Sequence, residues 1–320
     1  MPLSPKTRQV ILNLIRIGIS AALLGWIVAR AGLHHLLKTM RHADVRPYLL
    51  ALLITVLGLV LRAYRWQILL NAVGARVPFR RSVYLYFVGA FFNAFLPTGF
   101  GGDVVRVLEI GEGATSQQAA GTVLVDRLTG FVVLFLLALC ALPFSAGLLP
   151  PALAWLIAIL AGAIVVGSVL LFEGRLLRRV TAHFPCALSL AGDAWIGRTY
   201  DVITACGNRA LLGALGVSVL YNLSMIWSNV LIAQALRLNI SPWIFFLFTP
   251  IAAATLLVPI SISGLGVREG IYVTLFGQLG LTAAQSLSLS LATYSLDLVS
   301  GLVGGLVYLA AGLVGLRPKK

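Results

Sequence analysis

Residues 117 to 142 read QQAAGTVLVDRLTGFVVLFLLALCAL, an unbroken apolar run with an aspartate and an arginine, Asp126 and Arg127, inside it. A helix needs about 20 mostly apolar residues to cross a hydrocarbon core of about 30 Å. A charged side chain at that depth costs at least about 2.5 kcal/mol, so it normally faces a partner or a watery cavity. The same traits, long apolar runs with few but deeply placed charges, recur from residue 10 almost to the C-terminus. Of the 320 residues, 59% are hydrophobic and 11% charged, against roughly 25% charged in an average soluble domain. With a mean hydropathy of +0.97, a water-soluble fold is excluded.

Hydropathy places full spans near 10–30, 46–71, 117–142, 152–172, 209–236 and 286–315. Two further apolar stretches, 82–97 and 242–281, are interrupted, the first by Leu96-Pro97-Thr98-Gly99-Phe100-Gly101-Gly102-Asp103 and the second by Val258-Pro259-Ile260-Ser261-Ile262-Ser263-Gly264-Leu265-Gly266. Proline removes a backbone donor and glycine weakens a helix, so both stretches are expected to hold non-helical backbone at membrane depth. Residues 1 to 31 have the outline of a signal peptide. Val10 to Ile15 extend the apolar run ahead of Arg16, however, so the segment reads as a first span. The expectation is an all-α polytopic membrane protein, one membrane domain over 1–320 with about six full spans and two broken, re-entrant helical segments.

The interruptions belong to a longer pattern. Trp66 precedes Pro97 by 31 residues, Arg106 follows the glycines, and Asp126-Arg127-Leu128-Thr129-Gly130 comes in the next span; Trp227 precedes Pro259 by 32 residues, Arg268 follows the glycines, and Asp297-Leu298-Val299-Ser300-Gly301 comes next. This order predicts an internal repeat with halves 1–142 and 152–316, as transporter folds often carry.

Charge decides how the halves relate. Loop 71–82 carries Arg76, Arg80 and Arg81, and loop 173–208 carries Arg175, Arg178, Arg179 and Arg198. Full crossing by every apolar stretch would put these loops on opposite sides, against the tendency of basic loops to stay cytoplasmic. Re-entry of 82–100 and 242–281 puts both loops and both termini in the cytoplasm, gives three crossings per half, and makes the repeat inverted. Arg30, Lys38, Arg41 and Arg46 then fall outside, against the same rule. The formal charge of +14 is read as loop charge that meets anionic lipid, not as a nucleic-acid surface. Cys140, Cys186 and Cys206 show no CxxC spacing and the four histidines no metal pattern, so neither a metal site nor a cofactor is expected.

A helix that restarts inside the membrane aims free N–H groups and the positive end of its dipole into the protein, a ready site for phosphate. Gly99, Gly101 and Gly102 lead into Asp103, expected near the N-cap, and Arg106; Gly264 and Gly266 lead into Arg268 and Glu269. Arg106 and Arg268 are candidates to clamp the same anion. A tight helix contact is the plainer use of these glycines. Asp126, Arg127 and Asp297 are candidates for a binding or gating role, with permanent pairing of Asp126 to Arg62 or Arg106 as the alternative. Arg62, Arg65 and Trp66 are expected to anchor a helix end at the headgroup interface.

Arg65-Trp66 with Leu69-Leu70, then Phe92-Asn93-Ala94-Phe95-Leu96-Pro97-Thr98-Gly99-x-Gly101-Gly102-Asp103-x-x-Arg106, Asp126-Arg127-x-x-Gly130 and Pro259-x-Ser261-x-x-Gly264-x-Gly266-x-Arg268-Glu269 together resemble the lysylphosphatidylglycerol synthetase transmembrane-region family, akin to the flippase half of the multiple peptide resistance factor. The resemblance covers nearly the whole chain. It implies a multi-pass protein of the bacterial or archaeal cytoplasmic membrane that moves an anionic phospholipid or lipid-linked headgroup between leaflets. It also carries Asn93, Pro97, Thr98 and Ser261 into the substrate-binding set. Its members' settings leave an alternative, a membrane-embedded enzyme or accessory scaffold in lipid-linked glycan, polyprenyl or hopanoid lipid metabolism, with a lipid-modifying enzyme as partner. A synthase would need a further soluble acyltransferase domain; the chain stops at Lys320, so synthase activity is not expected, and a membrane-embedded enzyme stays as the alternative.

Overall fold

The computed structural model describes residues 43–95, 101–145, 150–173, 195–255 and 266–313. Within them lie ten α-helices and no strand: α1 Val45–Ala72, α2 Phe79–Phe95, α3 Gly101–Leu108, α4 Ser116–Ala141, α5 Pro151–Glu173, α6 Trp195–Ala205, α7 Gly207–Ala235, α8 Pro242–Thr255, α9 Val267–Gly277 and α10 Ala283–Leu313. A short 3-10 turn, Leu142–Ser145, follows α4. Helices α1, α4, α5, α7 and α10 are long and apolar enough to cross a membrane. They correspond to five of the six full spans predicted from hydropathy; the sixth, 10–30, lies outside the described residues.

The helix ends follow from local chemistry. Thr115 and Gln118 exchange side-chain to backbone bonds of 2.9 and 3.2 Å ahead of α4. Thr282 and Gln285 do the same ahead of α10, at 2.9 and 3.3 Å. Each reciprocal cap satisfies two N–H groups that a helix start otherwise leaves unpaired. At the other end of the long helices, α1 stops on Gly74 with φ of +75° and α7 on Arg237 with φ of +56°. The next amides turn back in the same way, Ala75 N–H to the Leu70 carbonyl at 3.0 Å and Leu238 N–H to the Ala233 carbonyl at 2.9 Å. Gly74 takes the left-handed conformation freely, whereas Arg237 bears a steric cost of about 1 kcal/mol.

The interrupted stretches fold back on themselves. Helix α2 ends at Phe95 and α3 starts at Gly101; with 17 and 8 residues, neither reaches the roughly 20 needed to span. They run antiparallel. Arg81 donates to the Glu109 carbonyl near the open end, the Arg106 guanidinium lies 3.9 Å from the Tyr86 ring, and Gly102 N–H donates to Asn93 Oδ1 at 2.8 Å near the turn. Helices α8 and α9 pair likewise, with Phe245 and Phe248 early in α8 meeting Phe276 late in α9 at 5.7 and 5.0 Å. Asp103 lies in the first turn of α3, two residues after its first residue Gly101.

These pairs arrange the bundle into two ends. At one, Arg76 N–H donates to the Gly113 carbonyl at 2.8 Å, Gln118 reaches the Val73 carbonyl at 2.9 Å, and Tyr200 and Ile203 of α6 pack with Leu69, Val125 and Ala214. At the other, Asp44 N–H donates to the Ala235 carbonyl at 2.7 Å and Phe144 stacks on Trp243 at 4.8 Å. Loop 73–78 and helix α6 therefore share an end, and α1 and α7 run in opposite directions.

Lipid tails are as apolar as leucine, so helices in a membrane associate through close packing rather than burial from water. Glycine provides it here. A Cβ on Gly304 of α10 would stand 1.9 Å from the Phe87 carbonyl of α2, and one on Gly102 would stand 2.0 Å from the Gly89 carbonyl. The glycines of the first interruption thus include one fixed by a backbone contact. If the two ends are as described, an impermeant maleimide reaches single cysteines at Glu112 and Asn208 from one side of the membrane and those at Asn239 and Gln278 from the other, in a background with Cys140, Cys186 and Cys206 replaced by serine. Labelling of all four from one side would contradict the arrangement.

Candidate functional site

Three helices and one hairpin converge on Asp126, which is fully buried in α4. Arg65 Nε of α1 donates to its Oδ1 at 2.6 Å, and Arg65 Nη1 continues to Ser218 Oγ of α7 at 2.9 Å. Tyr86 OH of α2 donates to Asp126 Oδ2, and Arg106 Nη2 of α3 lies 3.4 Å from that same oxygen. Arg106 Nη1 also meets Asp103 Oδ1 at 3.0 Å, and Asp103 Oδ2 accepts from Arg127 Nε. The Arg106 guanidinium sits 4.2 Å from the Trp66 ring, whose Nε1 donates to Thr122 Oγ1 at 3.0 Å. Each ion taken out of water costs several kcal/mol, recovered only where partners satisfy it fully. Here carboxylates, hydroxyls and ring faces supply most of those partners, while Arg106 Nε is buried without a hydrogen-bond partner among the described residues.

Local sequence explains the convergence. Tyr86, Gly89 and Asn93 recur at helical spacing, so one face of α2 meets α3 with a ring, a gap and an amide. In Asp126-Arg127-Leu128-Thr129-Gly130, Gly130 leaves room for Arg65: a Cβ there would lie 2.9 Å from Arg65 Nη1. Asn222 of α7 donates to the Gly130 carbonyl at 3.0 Å.

Arg65 and Trp66, expected at the interface, are only 2% and 0% exposed. That expectation is corrected: Asp126 and Thr122 hold them in the interior. Arg62 lies ten residues from the end of α1, about 15 Å at 1.5 Å per residue, which is also too deep for interface anchoring. It is half-buried, flanked by the Tyr86 and Tyr221 rings at 5.2 and 5.4 Å. Its Nε is buried without a hydrogen-bond partner, and it forms no ion pair among the described residues. Among the described residues, Arg65, Arg106 and Arg127 form their ion pairs with two carboxylates, Asp103 and Asp126.

The second hairpin has its own polar cluster. Glu269 is buried and accepts from Gly266 N–H at 2.6 Å, from Arg268 Nη2 at 2.7 Å and from Ser290 Oγ at 3.3 Å. Arg268 rests 4.3 Å from the Tyr294 ring. Arg106 and Arg268 are therefore not free cations, because aspartates hold the first and Glu269 the second. The N–H groups at the two helix starts are likewise partly taken, by Asn93 and by Glu269. Asp297 in α10 is exposed and accepts no ion pair or side-chain hydrogen bond among the described residues. Pro97, Thr98, Gly99, Ser261 and Gly264 lie outside the described residues.

The spacing matches between the halves are not all equivalent positions. Counting equally from the caps at Thr115 and Thr282 sets Asp126 against Thr293 and leaves Asp297 one turn further on. Counting back from the ends of α1 and α7 sets Trp66 against Asn229, and Trp227 is 51% exposed. Tyr86, Tyr221, Ser218, Thr122 and Asn222 were not among the residues expected from sequence. For Tyr86 the helical spacing to Gly89 and Asn93 was an available signal; the others have none.

An apolar groove of about 550 Å³ runs between α1, α7 and α8, lined by Ile54, Leu223, Ser224, Trp227, Trp243 and Phe246 among others. One turn beyond Ile54, Gly58 packs against the Tyr221 ring, 3.3 Å from where a Cβ would stand. That ring flanks Arg62 one further turn along α1.

The family model described as Lysylphosphatidylglycerol synthase TM region matches residues 13–305. The chain belongs to this family. It is also similar to the UPF0104 membrane protein PH1989 of Pyrococcus horikoshii, 22% identical over 94% of this chain and 97% of that one. The family match covers both hairpins and every residue of the charge cluster, and agrees with a membrane, lipid-related protein.

Asp126→Ala leaves Arg65 without its carboxylate and Arg106 with one in place of two. The expected cost is about 3–5 kcal/mol, seen as a lost or strongly lowered melting transition in detergent. Trp66→Phe, which removes one neutral hydrogen bond and retains a ring under Arg106, is expected to cost about 1 kcal/mol.

Proposed function

We propose that this protein moves an anionic phospholipid or lipid-linked headgroup between the leaflets of a bacterial or archaeal cytoplasmic membrane. One observation carries the reading: Arg62 stands deep in the bundle with no ion pair among the described residues and with its Nε buried without a hydrogen-bond partner. A buried cation without a partner is costly, and a phosphate oxygen between the Tyr86 and Tyr221 rings would relieve that cost. Arg106, Arg65, Asp103, Asp126 and Arg127 then form the fixed frame around the ligand, with Arg62 its contact. Glycines 101 and 102 and Asn93 close the hairpin behind it. The apolar groove suits a hydrocarbon tail.

In this reading, α1 to α4 and α7 to α10 are inverted repeat halves. Three features support it: the shared order of long helix, broken pair and long helix, the opposite directions of α1 and α7, and the matched helix caps. Inverted halves around a midplane site are a common basis for alternating access. The end that carries Arg76, Arg80 and Arg81 is assigned to the cytoplasm by its charge. A lipid-modifying enzyme is the natural partner, as supplier or consumer of the lipid.

In liposomes, the protein is expected to speed leaflet exchange of fluorescent phosphatidylglycerol but not of phosphatidylcholine. Arg62→Gln removes no ion pair among the described residues, so the variant is expected to fold, with exchange reduced about tenfold, equivalent to one charge-assisted hydrogen bond. Arg62→Lys retains part of the rate. Exchange unaffected by Arg62→Gln would refute the assignment.

A further inference from the structure

At the basic end of the bundle a second cavity, of about 250 Å³, opens between the loop that leads into α2 and the loop that follows α3. Arg76, Pro78, Arg81, Ile110 and Glu112 are among the residues that line it. Backbone contacts fix its walls: Arg76 N–H donates to the Gly113 carbonyl at 2.8 Å, Gln67 Nε2 donates to the Val77 carbonyl at 2.8 Å, and a Cβ on Gly113 would stand 2.7 Å from the Arg76 carbonyl oxygen. The Arg81 side chain is held by the Glu109 carbonyl and lies 4.8 Å from the Tyr84 ring. Arg76 and Arg80 are exposed, and neither they nor Arg81 form an ion pair among the described residues. Helix α2 therefore begins with two arginines and no acidic residue in its first turn, an arrangement that its dipole disfavours.

We propose that this cavity holds the phosphodiester headgroup of an anionic phospholipid from the leaflet at the basic end, with Arg76 and Arg81 as its cations. Charge complementarity supports the occupant. Arg76 and Arg81 against Glu112 leave the lining with a single net positive charge, which a phosphodiester, with its single negative charge, balances. Exposed aromatics set the depth. Tyr64 of α1 and Phe79 at the start of α2 are 52% and 42% exposed, with rings 6.2 Å apart, and such rings sit at the headgroup level. The lipid's chains then run beside Tyr64 and Phe79, and its phosphate offsets the arginines at the start of α2. Any basic loop draws anionic lipid loosely to its surface; the cavity fixed between two loops gives one headgroup a defined seat. Arg62 lies about 15 Å along α1 from the end that borders the cavity, so this is a separate site and does not depend on the function proposed above.

The test is calorimetric titration of the full-length Arg62→Gln protein in detergent with short-chain phosphatidylglycerol, so that the cation proposed above to meet a headgroup is absent. Binding is expected, with an affinity that falls as salt is added because the arginines are exposed. Adding Arg76→Gln is expected to weaken it about tenfold, the loss of one charge-assisted hydrogen bond, and Arg76→Lys to retain part of it. The Arg76 side chain makes no hydrogen bond or ion pair among the described residues, so the melting transition is expected to stay where it is. Arg237→Gln, which removes an exposed arginine at the opposite end, is expected to leave the affinity unchanged. Phosphatidylglycerol affinity unaffected by Arg76→Gln, lowered equally by Arg237→Gln, or absent from the Arg62→Gln protein would overturn this inference and leave the proposed function standing. Inorganic phosphate bound as tightly as phosphatidylglycerol in a parallel titration would overturn it as well, since the cavity would then be a simple anion site.

Discussion

The Arg65–Asp126 ion pair ties α1 to α4, and most of the polar interior is organised around it. Asp126 accepts from α1 and α2 and pairs with α3, and Arg65 passes the connection on to α7 through Ser218. Neither ion is stable at that depth alone. Their pairing fixes the rotation of four helices about their own axes, which apolar contacts with lipid do not. Gly130 and Gly102 are small for the same reason, since a Cβ at either would collide with Arg65 or with the α2 backbone.

That frame sets the chemistry of its neighbours. Arg106, held by two aspartates and two aromatic faces, is structural in position and electrostatic in effect, since both of its terminal nitrogens are engaged by carboxylates. Arg62 stands at the edge of the same cluster, flanked by the Tyr86 ring of α2 and the Tyr221 ring of α7. In the function proposed above, the apolar groove between α1, α7 and α8 would take the hydrocarbon part of an amphiphile.

The long spans were legible because lipid forces each of them to be continuously apolar and helical. The two interruptions were legible too, because proline and glycine mark them, and α2 ends just before Pro97 as those residues imply. Partners of the arginines were not. Arg65 and Asp126 are 61 positions apart, and which face of α1 carries Arg65 inward depends on packing. The neighbouring Arg65-Trp66 looks the same in sequence whether it anchors an interface or lies in a core. The apparent pairing of Asp126 with Asp297 misled for a related reason: similar short motifs fell one helical turn apart when measured from the capping threonines.

The account stands on Arg62 as the cation that a lipid phosphate completes. Native mass spectrometry of the protein released from its own membrane, beside the Arg62→Gln variant, tests this most directly. The account requires an anionic phospholipid or lipid-linked phosphate to remain bound to the wild type and to be lost from the variant while zwitterionic lipid is unchanged. The same anionic lipid retained equally by both proteins would contradict it.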